Sequence, residues 1–175
     1  AATEDLTLHA AFGIMDSSID QFDEGIRDNL QEQLNGRITN ELPIPTETQV
    51  AFDNNFKGAK LPNFAHQTAN IGIQHEFEIA GDSYLITRID YNYSSDRQWW
   101  IDGQDHQDNL GLLDASIGLE FSEGIEVRLW CKNCTDVTYD SEYSPTEREL
   151  FGGPAKDLAY PGKGRTVGLK LDYSF

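Results

Sequence analysis

The sequence predicts an all-β chain of antiparallel up-and-down strands, of the kind that closes into a transmembrane β-barrel, with about six strands in 175 residues. Three observations carry that expectation. Apolar residues recur at every second position through six separate stretches, while helical periodicity is nearly absent. The links between those stretches alternate short and long. No run approaches the roughly 18 apolar residues of a membrane-crossing helix, whereas a barrel strand needs only about 9–11 residues with one apolar face.

The first candidate strand, 6–14, sets Leu6, Leu8, Ala10, Phe12 and Ile14 against Thr7, His9, Ala11 and Gly13. The second, 69–77, sets Ala69, Ile71, Ile73, His75 and Phe77 against Asn70, Gly72, Gln74 and Glu76. The third, 85–93, opposes Leu85, Thr87, Ile89, Tyr91 and Tyr93 to Ile86, Arg88, Asp90 and Asn92. In the fourth, Leu113, Ala115, Ile117, Leu119 and Phe121 alternate with Asp114, Ser116, Gly118 and Glu120. In the fifth, Ile125, Val127, Leu129 and Cys131 alternate with Glu126, Arg128, Trp130 and Lys132. The last places Val167, Leu169, Leu171, Tyr173 and Phe175 opposite Thr166, Gly168, Lys170, Asp172 and Ser174. Only 24–34 reads as a short helix, inside a loop.

Tight turns are expected at Ala80-Gly81-Asp82-Ser83 and at Ser122-Glu123-Gly124. The other links are longer: the stretch after the first strand, an acidic loop around 101–108, and the stretch before the last strand. Every long link therefore falls at one end, as in bacterial outer-membrane barrels with short periplasmic turns and longer external loops. A soluble β-sandwich explains the alternation equally well but has no reason to sort its loops this way. Aromatic residues gather at strand ends, Tyr91, Tyr93, Trp99 and Trp100 on one side and Phe121, Tyr173 and Phe175 on the other. Interfacial girdles account for both groups.

Charge narrows the function classes. The formal net charge is −17, from 13 Lys and Arg against 30 Asp and Glu. A nucleic-acid partner is excluded on that balance, because binding a polyanion needs cations to displace its counterions. A mean hydropathy of −0.53 fits a barrel whose lumen face and outer loops are polar. The first residues, AATEDLTLHAAFG, contain neither the basic nor the apolar region of a signal peptide.

Cys131 and Cys134 form a C-x-x-C with no second pair and no paired histidines, so zinc is not expected. In a continuous strand, residues three apart lie roughly 10 Å apart, too far for a disulfide without a turn or bulge. Two packing thiols are the expectation.

The closing residues, Arg165-Thr166-Val167-Gly168-Leu169-Lys170-Leu171-Asp172-Tyr173-Ser174-Phe175 after Tyr160-Pro161-Gly162-Lys163-Gly164, resemble the last strand of TonB-dependent receptors. Val127-Arg128-Leu129-Trp130-Cys131-Lys132-Asn133-Cys134-Thr135-Asp136-Val137-Thr138-Tyr139 is similar to that family's preceding segment, although the family usually has an apolar residue where Cys134 stands. Leu61-Pro62-Asn63-Phe64-Ala65-His66-Gln67-Thr68-Ala69-Asn70 looks like re-entry into the barrel after an external loop. The resemblance implies that residues 1–175 are the C-terminal part of such a receptor barrel, without its plug domain. It implies Gram-negative outer-membrane localisation and energy-coupled uptake of a scarce solute such as a siderophore, cobalamin or oligosaccharide. The implied partners are the remainder of the barrel and plug, outer-membrane lipid, a periplasmic TonB-type coupling protein and the solute. Gly168, Leu171, Tyr173 and Phe175 would carry the signal read by the barrel-assembly machinery.

Six strands with open edges cannot satisfy their backbone in lipid, so a fragment, a split partner or a piece completed by other chains is expected. No catalytic constellation emerges. The histidines His9, His66, His75 and His106 are scattered, and no G-x-S-x-G elbow occurs, so neither an enzyme nor a cofactor is expected. The best ligand candidate is the acidic loop of Trp99, Trp100, Asp102, Asp105 and Asp108, where carboxylates can hold a hard cation and tryptophans can stack on a sugar. The same loop reads more readily as a solvated acidic segment with interfacial aromatics. Two further alternatives stay open: a barrel fragment with a structural role in a larger outer-membrane complex, and a soluble acidic β-sandwich that binds carbohydrate or calcium.

Overall fold

The computed structural model describes residues 5–20, 57–99, 106–144 and 158–174, with Asp23, Gly25, Asp28 and Glu32 between the first two segments. One antiparallel sheet of six strands dominates. Its members are β1 (Leu6–Ile14), β2 (Gln67–Ala80), β3 (Ser83–Ser94), β6 (Leu110–Phe121), β7 (Ile125–Lys132) and β10 (Thr166–Tyr173), side by side in chain order. Two small ribbons stand at the end where the long links run. One pairs β4 (Arg97–Gln98) with β5 (His106–Gln107), the other β8 (Asp140–Ser144) with β9 (Leu158–Pro161). All six expected strands are present. The ribbons were not legible, because strands of two to five residues carry too little alternation. The helix expected at 24–34 lies almost wholly outside the described residues.

The turn end follows from local chemistry. Gly81 and Asp82 both have positive φ, 56° and 58°, the backbone of a two-residue type I′ hairpin that suits the twist of its flanking strands. The β6–β7 link closes with Gly124 at φ 76°, its amide donating to Phe121 O at 3.0 Å. Glycine carries no Cβ penalty there.

Register turns the alternation into two surfaces. Leu8 lies opposite Ile73, Ile73 opposite Ile89, Ile89 opposite Ala115, Ala115 opposite Cys131 and Cys131 opposite Val167. Toward the turn end, Phe77, Leu85, Leu119, Val127 and Leu171 form another such row. One face is therefore apolar across all six strands, and it is open: Phe12 is 66% exposed, Ile71 58% and Leu169 70%. Among the described residues only Ile19 and Trp99 are buried hydrophobics, and both sit in links rather than under the sheet. A sandwich would bury this face against a second sheet. A continuous exposed apolar surface of this width is the surface a barrel wall turns to lipid. Two polar residues interrupt it, His75 and Thr87, and they face each other. The Thr87 hydroxyl donates to the His75 carbonyl at 3.4 Å, and the His75 ring packs on Phe77.

The opposite face is polar and cross-linked. The Arg88 Nε donates to Asp90 Oδ2 at 2.7 Å, and His9 Nε2 reaches Asp90 Oδ1 at 3.1 Å from two strands away. Gly72 lies between them, and a Cβ there would collide with the His9 ring and the Asp90 carboxylate. Lys132 Nζ meets Asp114 at 2.7 Å, and Arg128 Nε donates to Glu126 at 2.6 Å. Each of these cations thus has a carboxylate beside it.

The cysteine expectation is overturned. Cys131 and Cys134 are joined by a disulfide, with Cα atoms 5.6 Å apart. The strand stops at Lys132, and Asn133 takes a left-handed φ of 49°, so the chain turns instead of remaining extended. Asn133 is only 5% exposed and fully engaged. Its amide donates to Asp114 Oδ1 at 2.9 Å, and its side-chain NH₂ donates to the carbonyls of Val137 at 2.8 Å and Lys163 at 3.1 Å. Its Oδ1 accepts the Val137 amide at 2.9 Å. One residue, through its backbone amide and its side chain together, therefore joins β6, the exit of β7 and the approach to β10.

Candidate functional site at the loop end and the β10 edge

Three distant segments knit together where the long links run. Ile19 N–H donates to Ala59 O at 3.0 Å and Gly58 N–H to Ile19 O at 2.8 Å. Met15 N–H donates to His66 O at 2.9 Å, and Gln98 Nε2 donates to Lys60 O at 2.8 Å. Asn63 N–H in turn donates to Gln98 O at 2.8 Å. Residues 15–19, 57–66 and 95–98 thus form a backbone-bonded cap, extended through β4 to β5.

This cap encloses a cleft of about 280 Å³, bordered by Lys60, Leu61, Phe64, His66, Arg97 and His106, with Asp96 and Gln98 also contributing. Arg97 lies with its guanidinium carbon 4.5 Å from the centre of the Trp99 ring, a cation–π contact, and its Nε is enclosed without a hydrogen-bond partner among the described residues. His66 Nδ1 is 3.0 Å from Met15 O. A carbonyl only accepts, so Nδ1 carries the proton in that bond and Nε2 is left for other contacts. These residues were missed in the sequence, because the cleft joins positions some 40 apart that no local pattern relates.

Of the acidic-loop residues, Trp100, Asp102 and Asp105 lie outside the described residues. Trp99 departs from expectation. It is 4% exposed, stacked on Tyr143 with ring centres 6.5 Å apart and covered by Arg97. It is therefore neither a lipid-facing girdle residue nor an open stacking platform; its ring supports the cap. Asp108 is open to solvent, with His106 Nε2 3.5 Å from its carboxylate. Among the described residues, no group of three or more His, Cys, Asp or Glu is arranged to hold a metal.

The residues of the expected assembly signal fall on β10, which pairs with β7 alone and forms one edge of the sheet; β1 forms the other. Gly168 stands opposite Trp130 on the polar face, and a Cβ there would collide with the indole. Leu171 and Tyr173 stand on the apolar face, both well exposed. Phe175 lies outside the described residues.

The fold and its two edges define an all-β barrel-wall segment. Among solved structures, the chain is similar to the ferric yersiniabactin uptake receptor FyuA from Yersinia pestis, at 21% identity and a TM-score of 0.58. The match covers 69% of this chain and 18% of the receptor, so the chain spans under a fifth of that protein's length. No family model matches the sequence, and no curated protein does either.

Proposed function

We propose that the chain forms wall strands and outer loops of a TonB-dependent receptor in the outer membrane of a Gram-negative bacterium. The receptor imports a scarce solute (siderophore, cobalamin or oligosaccharide class) with energy passed on by a periplasmic TonB-type coupling protein, and it has no enzymatic role. One observation carries this reading: the apolar face runs in register and exposed across six strands, while the other face is polar and internally paired. Lipid on one side and a wet, plugged lumen on the other suit that division. The likeness to an uptake receptor supports the reading at the level of fold. In the intact barrel, the turn end faces the periplasm and the cap faces outward. Gly168, Leu171, Tyr173 and Phe175 then serve as the edge read during assembly, since an alternating edge strand is a template for strand addition. Asp108 fronts the solvent, with Trp99 as the buried support of the cap.

The test is extraction of the native protein from isolated membranes, with its intact mass, followed by solute uptake in strains with and without the coupling protein. Detergent-dependent extraction, a mass several-fold above 19.7 kDa and coupling-dependent uptake are expected. A mass near 19.7 kDa would replace transport by an assembly role. Recovery as a monomer without detergent would favour the soluble carbohydrate- or calcium-binding alternative.

A further inference from the structure

The cleft in the cap stands out against the chemistry of the whole chain. In a protein of net charge −17, it gathers Lys60, Arg97, His66 and His106 around one space. Arg88, Arg128, Lys132, Arg165 and Lys170 each lie beside a carboxylate, whereas Lys60 and Arg97, like Lys57 and Lys163, are in no ion pair among the described residues. Among the described lining residues, Lys60 and Arg97 stand with a single carboxylate, Asp96. The enclosed Arg97 Nε, without a hydrogen-bond partner among the described residues, is a donor that an anion in this space would satisfy, and the exposed Lys60 adds a second charge beside it. The surroundings are also fixed in advance. Gln98 bonds to the backbone on the Lys60 side, Trp99 holds the Arg97 guanidinium by its face, and His66 is held by Met15 O. Such preorganisation lowers the ordering cost of binding. Leu61 and Phe64 supply an apolar wall, completing the mix of few polar anchors and apolar lining that ligand sites show.

We propose that this cleft binds an anionic group, a carboxylate or phosphate of small size, presented at the outer mouth of the barrel. A space of about 280 Å³ accepts the anionic end of a solute and not a bulky whole ligand. The placement at the outer mouth rests on the receptor reading above; the chemistry of the cleft does not. Arg97 supplies the planar fork that matches carboxylate and phosphate oxygens, and Lys60 adds a second charge. The same group reaches the site from either of two sources, a free solute or the phosphorylated headgroup of an outer-leaflet lipid.

The test uses the full-length protein in lipid nanodiscs, titrated calorimetrically with citrate and with inorganic pyrophosphate. Saturable, salt-sensitive binding of either anion is expected, weakened about tenfold or more by K60Q and further by K60Q/R97Q, with partial recovery in R97K. Lys60 is exposed, so K60Q also guards against a folding artefact, checked by heat-modifiable gel migration. If neither free anion binds but the native protein co-purifies with a phosphorylated lipid that K60Q loses, the headgroup is the source and the site stands. Equal binding by wild type and K60Q/R97Q, or no anion from either source, overturns it. Coupling-dependent uptake is measured in parallel. Uptake with no difference between wild type and variant in anion binding would remove the cleft assignment alone, whereas loss of anion binding in the variant without any uptake would remove the receptor reading alone.

Discussion

The two faces of the sheet share one backbone and alternate residue by residue, yet they follow opposite rules. On the apolar face, neighbours across six strands are hydrophobes apart from the facing pair His75 and Thr87, and none of them is buried. On the polar face, positions are individual: His9 reaches Asp90 only because Gly72 lacks a Cβ, and Trp130 lies over Gly168 for the same reason. The first face answers to a solvent. The second answers to specific neighbours.

An arginine separates them most sharply. Leu169→Arg, in the middle of β10 on the apolar face, is expected to cost about 2–4 kcal/mol in folding titrations into lipid vesicles, as for a charge near the bilayer midplane. Ser116→Arg on the polar face of β6 should shift the same titration by only about 0.5 kcal/mol. Equal tolerance at both sites would mean that the apolar face does not meet lipid. Next in size is Gly168→Val, which drives a side chain into the Trp130 ring. Overpacking of this kind costs about 1–3 kcal/mol in a urea titration of protein refolded into detergent micelles, where no assembly machinery contributes. Smallest is His9→Gln, which removes a half-exposed contact to Asp90. The expected change is below about 1 kcal/mol, because Asp90 keeps its bond to Arg88. A larger loss would show that the polar face acts as one network and not as separate pairs.

What was legible follows the same division. The six strands, their facing and the two tight turns are local matters, fixed by period two and by Gly81-Asp82 and Gly124, whose backbone geometry matches their residue type. The loop end is not local. Ile19 meets Ala59, Gln98 meets Lys60, and Asn133 meets Lys163, each pair far apart in the chain. A continuous strand would hold the two thiols apart, and the disulfide forms because the chain turns at Asn133. Asn133 was the available signal, since asparagine tolerates a left-handed backbone and bonds its own neighbours. The burial of Trp99 had no signal in the sequence: an indole beside an acidic loop reads the same whether it is open or lies beneath Arg97.

The two edges have a consequence in time. Within the sheet, β2–β3, β3–β6 and β6–β7 pair strands that are near neighbours in the chain, and pairings of that kind form early because little loop entropy is lost. In the receptor reading, the outer edges of β1 and β10 pair with strands that this sheet does not contain, so closure would come last and slowest. During that interval β10 presents a row of unpaired backbone donors and acceptors beside Leu169 and Leu171, the combination most prone to pair with another copy. On that reading, the rate at which a nascent barrel is captured, and not its final stability, would set how much of it survives to close.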